Sequence, residues 1–314
     1  MVSVRSALHV TFLLGGAVIV ILLFHRLGPQ NIVVLLRQLG WSFLGALAVY
    51  TIHLIVRAVA LSYCFTGTRL RFGELLYIRF VNEAVRGLTL TGPFLSEPAT
   101  AWFIAQRGVR TPEAAAATIA EYVAHTFMSM LLTIPAALYC LKELHLGDSA
   151  RVALLILLSG SSVLVVSTVC VFWRGIHVVS HFVPSIETVR RTEDALFPIF
   201  RDNPRNTLRL AGIEIVAHTL LIIETYWILT AMNLTHSFGL AALVEILSKL
   251  AGLGSIGTTE GAYALLFIGL ALPPAAGFAL SLVKRIRSLA ITVIGLAGVA
   301  ILPYPTTSKR VTNS

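Results

Sequence analysis

Two apolar stretches of the chain are broken by glycine and proline, and each carries a glutamate just past its break. They read Thr91-Gly92-Pro93-Phe94-Leu95-Ser96-Glu97-Pro98 and Gly252-Leu253-Gly254-Ser255-Ile256-Gly257-Thr258-Thr259-Glu260-Gly261. A carboxylate in the first turn of a new half-helix suits the helix dipole, and Ser96, Thr258 and Thr259 are capping hydroxyls. The same groups have a chemical use in lipid: they can bind an ammonium group or sugar hydroxyls, or carry a proton. Interrupted helices are tolerated in a membrane only where they are buried in protein or line a wet cavity. Matched interruptions in the two halves of a chain point to a transport site.

Other ionisable residues lie where charge is costly, at about 3 kcal/mol each in the centre of a spanning helix. His53 and Arg57, Glu121 and His125, and Glu214 and His218 form i,i+4 pairs on single helix faces, with Glu224 further along the last of these helices. Carboxylate and imidazole are metal ligands, but helical di-metal sites more often space Glu and His at i,i+3. Intrahelical hydrogen bonding is the simpler account, so neither metal nor cofactor is expected. Glu121 and Glu214 are read as a proton relay or polar cavity wall, or else as polar contacts between helices. The strongest cationic signal is Lys284-Arg285-Ile286-Arg287. Arg285 falls about 15 Å below the start of its helix, near the midplane. A guanidinium at that depth suits a lipid phosphate, which it grips bidentately, with Arg57 or Lys284 as a second cation. Compatible with this is a salt bridge from Arg285 to Glu260, Glu245 or Glu214, with Lys284 snorkelling to the interface.

Weaker signals surround these. Arg79, Asn82, Glu83 and Arg86 make one polar stripe, either a cavity wall or a cytoplasm-facing surface. Glu245 and Lys249 are spaced as a structural ion pair. Trp41, Trp102, Trp173 and Trp227 fit interfacial anchoring. Cys64, Cys140 and Cys170 have no ligand-like spacing.

The elements that must position these residues are membrane helices. The chain is 56% hydrophobic and 12% charged, with a mean hydropathy of +0.84, against about 45–50% apolar and about 25% charged for soluble domains. With about 20 apolar residues per crossing, full spans are expected near 7–25, 41–64, 114–140, 151–173, 208–232 and 275–302. The broken regions 72–106 and 239–272 fit re-entrant pairs of half-helices. The fold class is therefore an all-α polytopic membrane protein, with about six full spans and two oppositely facing re-entrant hairpins, arranged like an inverted repeat. Residues 1–314 make one transmembrane domain.

Loop charges orient it. With the N-terminus inside, twelve Lys and Arg lie on the cytoplasmic side, Arg71, Arg107 and Arg174 among them, against Arg26, Arg37, Lys142 and Arg151 outside. Both termini are then cytoplasmic, in the cell membrane. The connection 174–207 reads as a solvated linker or as amphipathic helices on the cytoplasmic leaflet, with Arg190 and Arg191 toward anionic phospholipid. The net charge of +9 is explained this way rather than by nucleic acid, since no aromatic-basic motif interrupts the pattern. The first apolar run ends at His25-Arg26 without a small-x-small site, so it reads as an uncleaved span.

At these same residues the chain resembles the transmembrane region of lysylphosphatidylglycerol synthase/flippase proteins and their stand-alone relatives. Asn82 through Gly108, with Pro93, Ser96-Glu97 and Arg107-Gly108, is similar to the family's Asn…Pro-Gly-x-x-Gly-Glu-x-x-Arg…Arg-x-Gly pattern. Ala114 to His125 resembles its Ala-rich helix ending in Glu-Arg-x-x-Asp. Gly254 to Gly295, with Gly257-Thr258-Thr259-Glu260, Ala279 and Arg285, resembles its second hairpin and Arg-bearing last helix. Ser96 replaces a Gly, and charges of the pattern are absent at Thr100, Tyr122 and His125, which bears on the headgroup handled.

The resemblance implies a helical domain that moves lipid between leaflets. The family's aminoacyl transfer belongs to a soluble domain, and none is expected after residue 302, so a stand-alone translocator rather than an enzyme is anticipated. Its partner is a polar-headed lipid, and a homo-oligomer is compatible with the reading. Arg285, with Arg57 or Lys284, would hold the phosphate; Glu97 and Glu260, with Ser96 and Thr259, would hold an amine or sugar or exchange a proton; Glu121 would polarise the wall. No G-x-x-x-x-G-K-[ST] motif is present, so any drive comes from ion or lipid gradients. The alternatives are a membrane-embedded transferase or hydrolase acting on lipid-linked sugars and a helper of a partner enzyme.

Overall fold

The computed structural model of the protein describes residues 22, 25–26, 28–65, 70–88, 93–143, 148–182, 187–234, 237–248 and 258–301. In chain order the helices are α1 (Pro29–Leu39), α2 (Ser42–Ser62), α3 (Phe72–Leu88), α4 (Pro93–Ala105), α5 (Thr111–Glu143), α6 (Asp148–Arg174), α7 (Val178–Phe182), α8 (Glu187–Arg201), α9 (Pro204–Ala231), α10 (Phe238–Ser248), α11 (Thr258–Gly269) and α12 (Pro274–Ile301). There is no strand among the described residues. Four of these helices, within α2, α5, α6 and α9, are long and apolar enough to cross a membrane. The chain is an all-α, multi-pass membrane protein.

Local sequence sets the ends. Pro204 occupies the first turn of α9, where its missing N–H costs nothing, and the Asn203 side chain accepts the Asn206 N–H at 3.1 Å. Within the spans, hydroxyls satisfy themselves on the preceding turn: Thr51, Thr118 and Thr133 donate to the carbonyls of Leu47, Ala114 and Ser129. Lipid offers no other partner.

Four expected spans coincide with α2, α5, α6 and α9 to within a few residues, and the stretch 275–302 coincides with the helix α12, which carries Lys284, Arg285 and Arg287 and is not among those four. The span 7–25 lies outside the described residues, apart from Leu22 and His25. The first broken region carries α3 and α4 and the second α10 and α11, while residues 89–92 and 249–257 lie outside the described residues.

The two broken pairs sit in different cores. Leu61, Leu75, Ile78, Ile104, Ala117 and Leu196 join α2, α3, α4, α5 and α8. Leu39, Ile228, Val244, Phe267 and Leu280 join α1, α9, α10, α11 and α12. Between them Tyr50, Leu54, Leu221 and Ile291 form a small bridging cluster. Gly277 lets α12 lie against α11: a Cβ there would come within 2.4 Å of the Tyr263 carbonyl oxygen. The outer face of α6 is bare, with Val152, Ile156, Val163 and Trp173 exposed, an apolar surface matched to lipid.

The connection 174–207 differs from a solvated linker. In α8 the residues Leu196, Phe197 and Ile199 are buried, and the helix packs on α5 and α9. Glu193, also buried, accepts the Ser180 hydroxyl at 2.5 Å and so ties α8 to α7. Arg190 and Arg191 remain exposed, Arg191 bonding to Glu187 at 2.5 Å.

Candidate functional site

α2 threads the bundle with Tyr50, His53 and Arg57 all buried, on neighbouring turns of one helix. Each of these meets a different partner set, and together they organise the polar interior.

At the Arg57 level, Glu121 of α5 is fully buried and lies between two guanidiniums. Arg57 Nε donates to one of its oxygens, and Arg79 Nη2 of α3 lies 2.5 Å from the other. Glu121 is therefore not the intrahelical partner of His125. Beside this trio, Asn82 Nδ2 pins α3 to α4 by donating to Thr100 Oγ1 at 2.7 Å, the Ser96 carbonyl at 3.1 Å and Glu97 Oε1 at 3.5 Å. Ser96 Oγ and Glu97 Oε2 are buried with no hydrogen-bond partner among the described residues. Buried polar atoms of this kind are costly in a static core and are what a ligand or proton satisfies.

At the His53 level, His125 of α5 crosses to α9, with Nδ1 2.7 Å from Glu214 Oε2. His218 Nδ1 donates to the Glu214 carbonyl at 2.8 Å, and His53 Nδ1 donates to the Ala217 carbonyl at 3.0 Å. At the Tyr50 level, the phenol donates to Glu83 Oε1 at 2.6 Å, and Ser288 reaches the same oxygen at 3.3 Å. Arg287 Nη1 donates to both oxygens of Glu224 at 2.5 Å.

The remaining charges lie on α12 and the second broken pair. Lys284 Nζ bonds to Glu245, which also accepts the Thr225 hydroxyl at 2.6 Å. Lys284 is thus partly buried and paired rather than snorkelling, and Glu245 takes it as partner, while Lys249 lies outside the described residues. Arg285 Nε donates to Glu260 Oε1 at 2.7 Å, the salt bridge anticipated for it. Its side chain is 33% exposed, whereas Glu260 is buried. Thr259 stands beside Glu260 in the first turn of α11.

The eight expected site residues thus divide into two groups. Arg57, Ser96, Glu97 and Glu121 gather around α2 to α5; Lys284, Arg285, Thr259 and Glu260 belong to α11 and α12. Glu97 is bound by Asn82 and Glu260 by Arg285. Of the polar stripe, Arg79, Asn82 and Glu83 are buried and form an interior wall, while Arg86 is exposed. Arg79 and Glu83 enter the network from the polar stripe and Arg287 from the Lys284–Arg287 run, whereas Tyr50 carries no such signal and meets Glu83 only through the tertiary fold.

A groove of about 510 Å³ opens between α5, α6, α8 and α9, lined by Val123, Phe127, Met128, Phe172 and Leu210, with Arg201 among its walls.

Residues 7–295 match the family described as lysylphosphatidylglycerol synthase TM region. The chain belongs to this family. That membership ties it to a lipid-related function in the membrane, and the match takes in both broken pairs and every charged residue described above. No curated protein and no solved structure matches it.

Proposed function

We propose that the protein translocates a polar-headed, phosphate-containing lipid between leaflets. The observation that carries this reading is membership of the lysylphosphatidylglycerol synthase transmembrane family over residues 7–295. The buried polar interior supports it. Arg285, the partly open cation at mid-helix depth, receives the phosphate while Glu260 holds its guanidinium in place. Ser96 Oγ and Glu97 Oε2 supply unsatisfied groups for an amine, a sugar hydroxyl or a proton. Arg57, Lys284, Glu121 and Thr259 polarise the wall around them. Acyl chains stay in the bilayer or in the apolar groove beside α6.

In this proposal the two broken pairs are re-entrant hairpins opening to opposite faces. Movement of the two hairpin-bearing halves alternates access to the headgroup. The protein resides in the cell membrane with both termini cytoplasmic, and Arg190 and Arg191 face anionic phospholipid. It acts as a carrier rather than an enzyme, and it works alone or as a homo-oligomer.

Proteoliposomes with fluorescent lipid test this. Translocation makes inner-leaflet label accessible to dithionite, with the lipid recovered chemically unchanged. Label that stays protected overturns the proposal, and a chemically altered lipid replaces it with an enzymatic one.

A further inference from the structure

We propose that His125, Glu214 and His218 form a binding site for a divalent transition-metal ion of the zinc class, locking α5 to α9 in the middle of the bundle. The i,i+4 spacing stacks Glu214 and His218 on one face of α9, and His125 meets them from α5. One ligand atom from each residue lies within 4.8 Å of the other two. His125 Nδ1 is 2.7 Å from Glu214 Oε2, no two of the ligand atoms are more than 4.8 Å apart, and the two imidazole centroids are 4.5 Å apart. Zinc bonds of about 2.0–2.2 Å at tetrahedral angles place ligand atoms about 3.3–3.6 Å apart. The observed separations bracket that value, so side-chain rotation is enough to close the set on an ion.

The outer contacts are those of a metal site. A carbonyl oxygen only accepts, so the contact at 2.8 Å to the Glu214 carbonyl fixes the proton of His218 on Nδ1 and makes Nε2 its ligand nitrogen. Metal-bound histidines are oriented in this way by the second ring nitrogen. His53, similarly fixed on the Ala217 carbonyl, stands with its ring 6.3 Å from that of His125. Two neutral imidazoles and a carboxylate are the donors of a three-ligand zinc centre with a position left open.

Glu214 is fully buried, with His125 and His218 as side-chain neighbours. A divalent ion held by the three donors would add to the compensation that a buried carboxylate requires. The same geometry also fits a proton shared by His125 and Glu214, and the experiment separates the two.

The full-length protein, purified in detergent through a tag without histidine and stripped with a chelator, is titrated with Co²⁺. The expected result is one equivalent bound, with visible d–d bands of low-coordinate cobalt that Zn²⁺ abolishes. Zn²⁺ is also expected to raise the melting temperature. His125→Asn and His218→Gln are each expected to weaken Co²⁺ binding by more than the about 10–100-fold that loss of an outer contact costs. X-ray absorption of the cobalt-loaded wild type, expected to contain two imidazoles, decides the matter if the variants do not fold. Absence of d–d bands, a spectrum without imidazole, or folded variants that bind like wild type overturns the site and leaves a protonated pair. No readout depends on lipid movement, so this inference and the translocation proposal fail separately.

Discussion

The guanidinium carbon of Arg287 lies 3.5 Å from the centroid of the Tyr50 ring, clamped between that aromatic face and the carboxylate of Glu224. Both elements compensate a charge that the interior would otherwise reject. Glu224→Gln leaves the guanidinium without its counterion, and breaking a buried pair costs about 3–5 kcal/mol. Thermal unfolding in detergent is expected to show that loss. The double change Glu224→Leu with Arg287→Met, which removes both charges, is expected to recover most of it. Equal destabilisation by single and double variants would assign the site to packing rather than to charge pairing.

Glu97 and Glu121 share a cluster but not a role. Glu121 serves two guanidiniums, so Glu121→Gln is expected to lower stability by several kcal/mol. Among the described residues Glu97 has one oxygen without a hydrogen-bond partner and a 3.5 Å contact from Asn82 on the other. Glu97→Gln is therefore expected to melt within a few degrees of wild type. If it receives a headgroup or proton, lipid translocation falls by about tenfold or more, the equivalent of one charge-assisted hydrogen bond at about 1.5–3 kcal/mol. Wild-type translocation by the folded variant removes Glu97 from the proposed site.

The contrast between these residues explains what the chain discloses before folding. Helices α2, α5, α6, α9 and α12 follow from long apolar runs, because that signal is local. The pairings are not local. His125 and Glu214 are 89 positions apart, and Arg287 and Glu224 are 63 apart. The i,i+4 spacing that makes Glu121 and His125 neighbours on a helix surface says nothing of the better partners that α2, α3 and α9 bring to each. In a low-dielectric interior a guanidinium outcompetes a neutral imidazole for a carboxylate. Lys284 follows the same logic: snorkelling is the resort of a cation with no acid within reach, and Glu245 is within reach.

Close helix approach gives a test independent of charge. Any side chain at Gly277 places its Cβ 2.4 Å from the Tyr263 backbone oxygen and 2.9 Å from the Phe267 ring, so α11 and α12 must separate. Gly277→Ala is expected to destabilise by about 1–3 kcal/mol. Gly212 in α9 has nothing within 4 Å of its Cβ position, and Gly212→Ala is expected to stabilise by about 0.5–1 kcal/mol through helix propensity. Melting temperatures moving in the same direction for both would refute the packing of α11 on α12.

Arg285 offers the sharpest separation of recognition from structure, because it alone of the three α12 cations keeps a substantial open face, 33% against 13% for Lys284 and 10% for Arg287. Lysine keeps a cation beside the buried Glu260, so Arg285→Lys is expected to fold and to retain an ion pair with it. It loses the planar fork that matches phosphate bidentately. Vesicle binding or translocation of a phosphate-headed lipid should therefore weaken by about tenfold, while a lipid without phosphate is unaffected. Equal behaviour of Arg285→Lys and wild type toward the phosphate-headed lipid would show that Arg285 only orients Glu260. The phosphate would then have to be sought among the other cations of the interior.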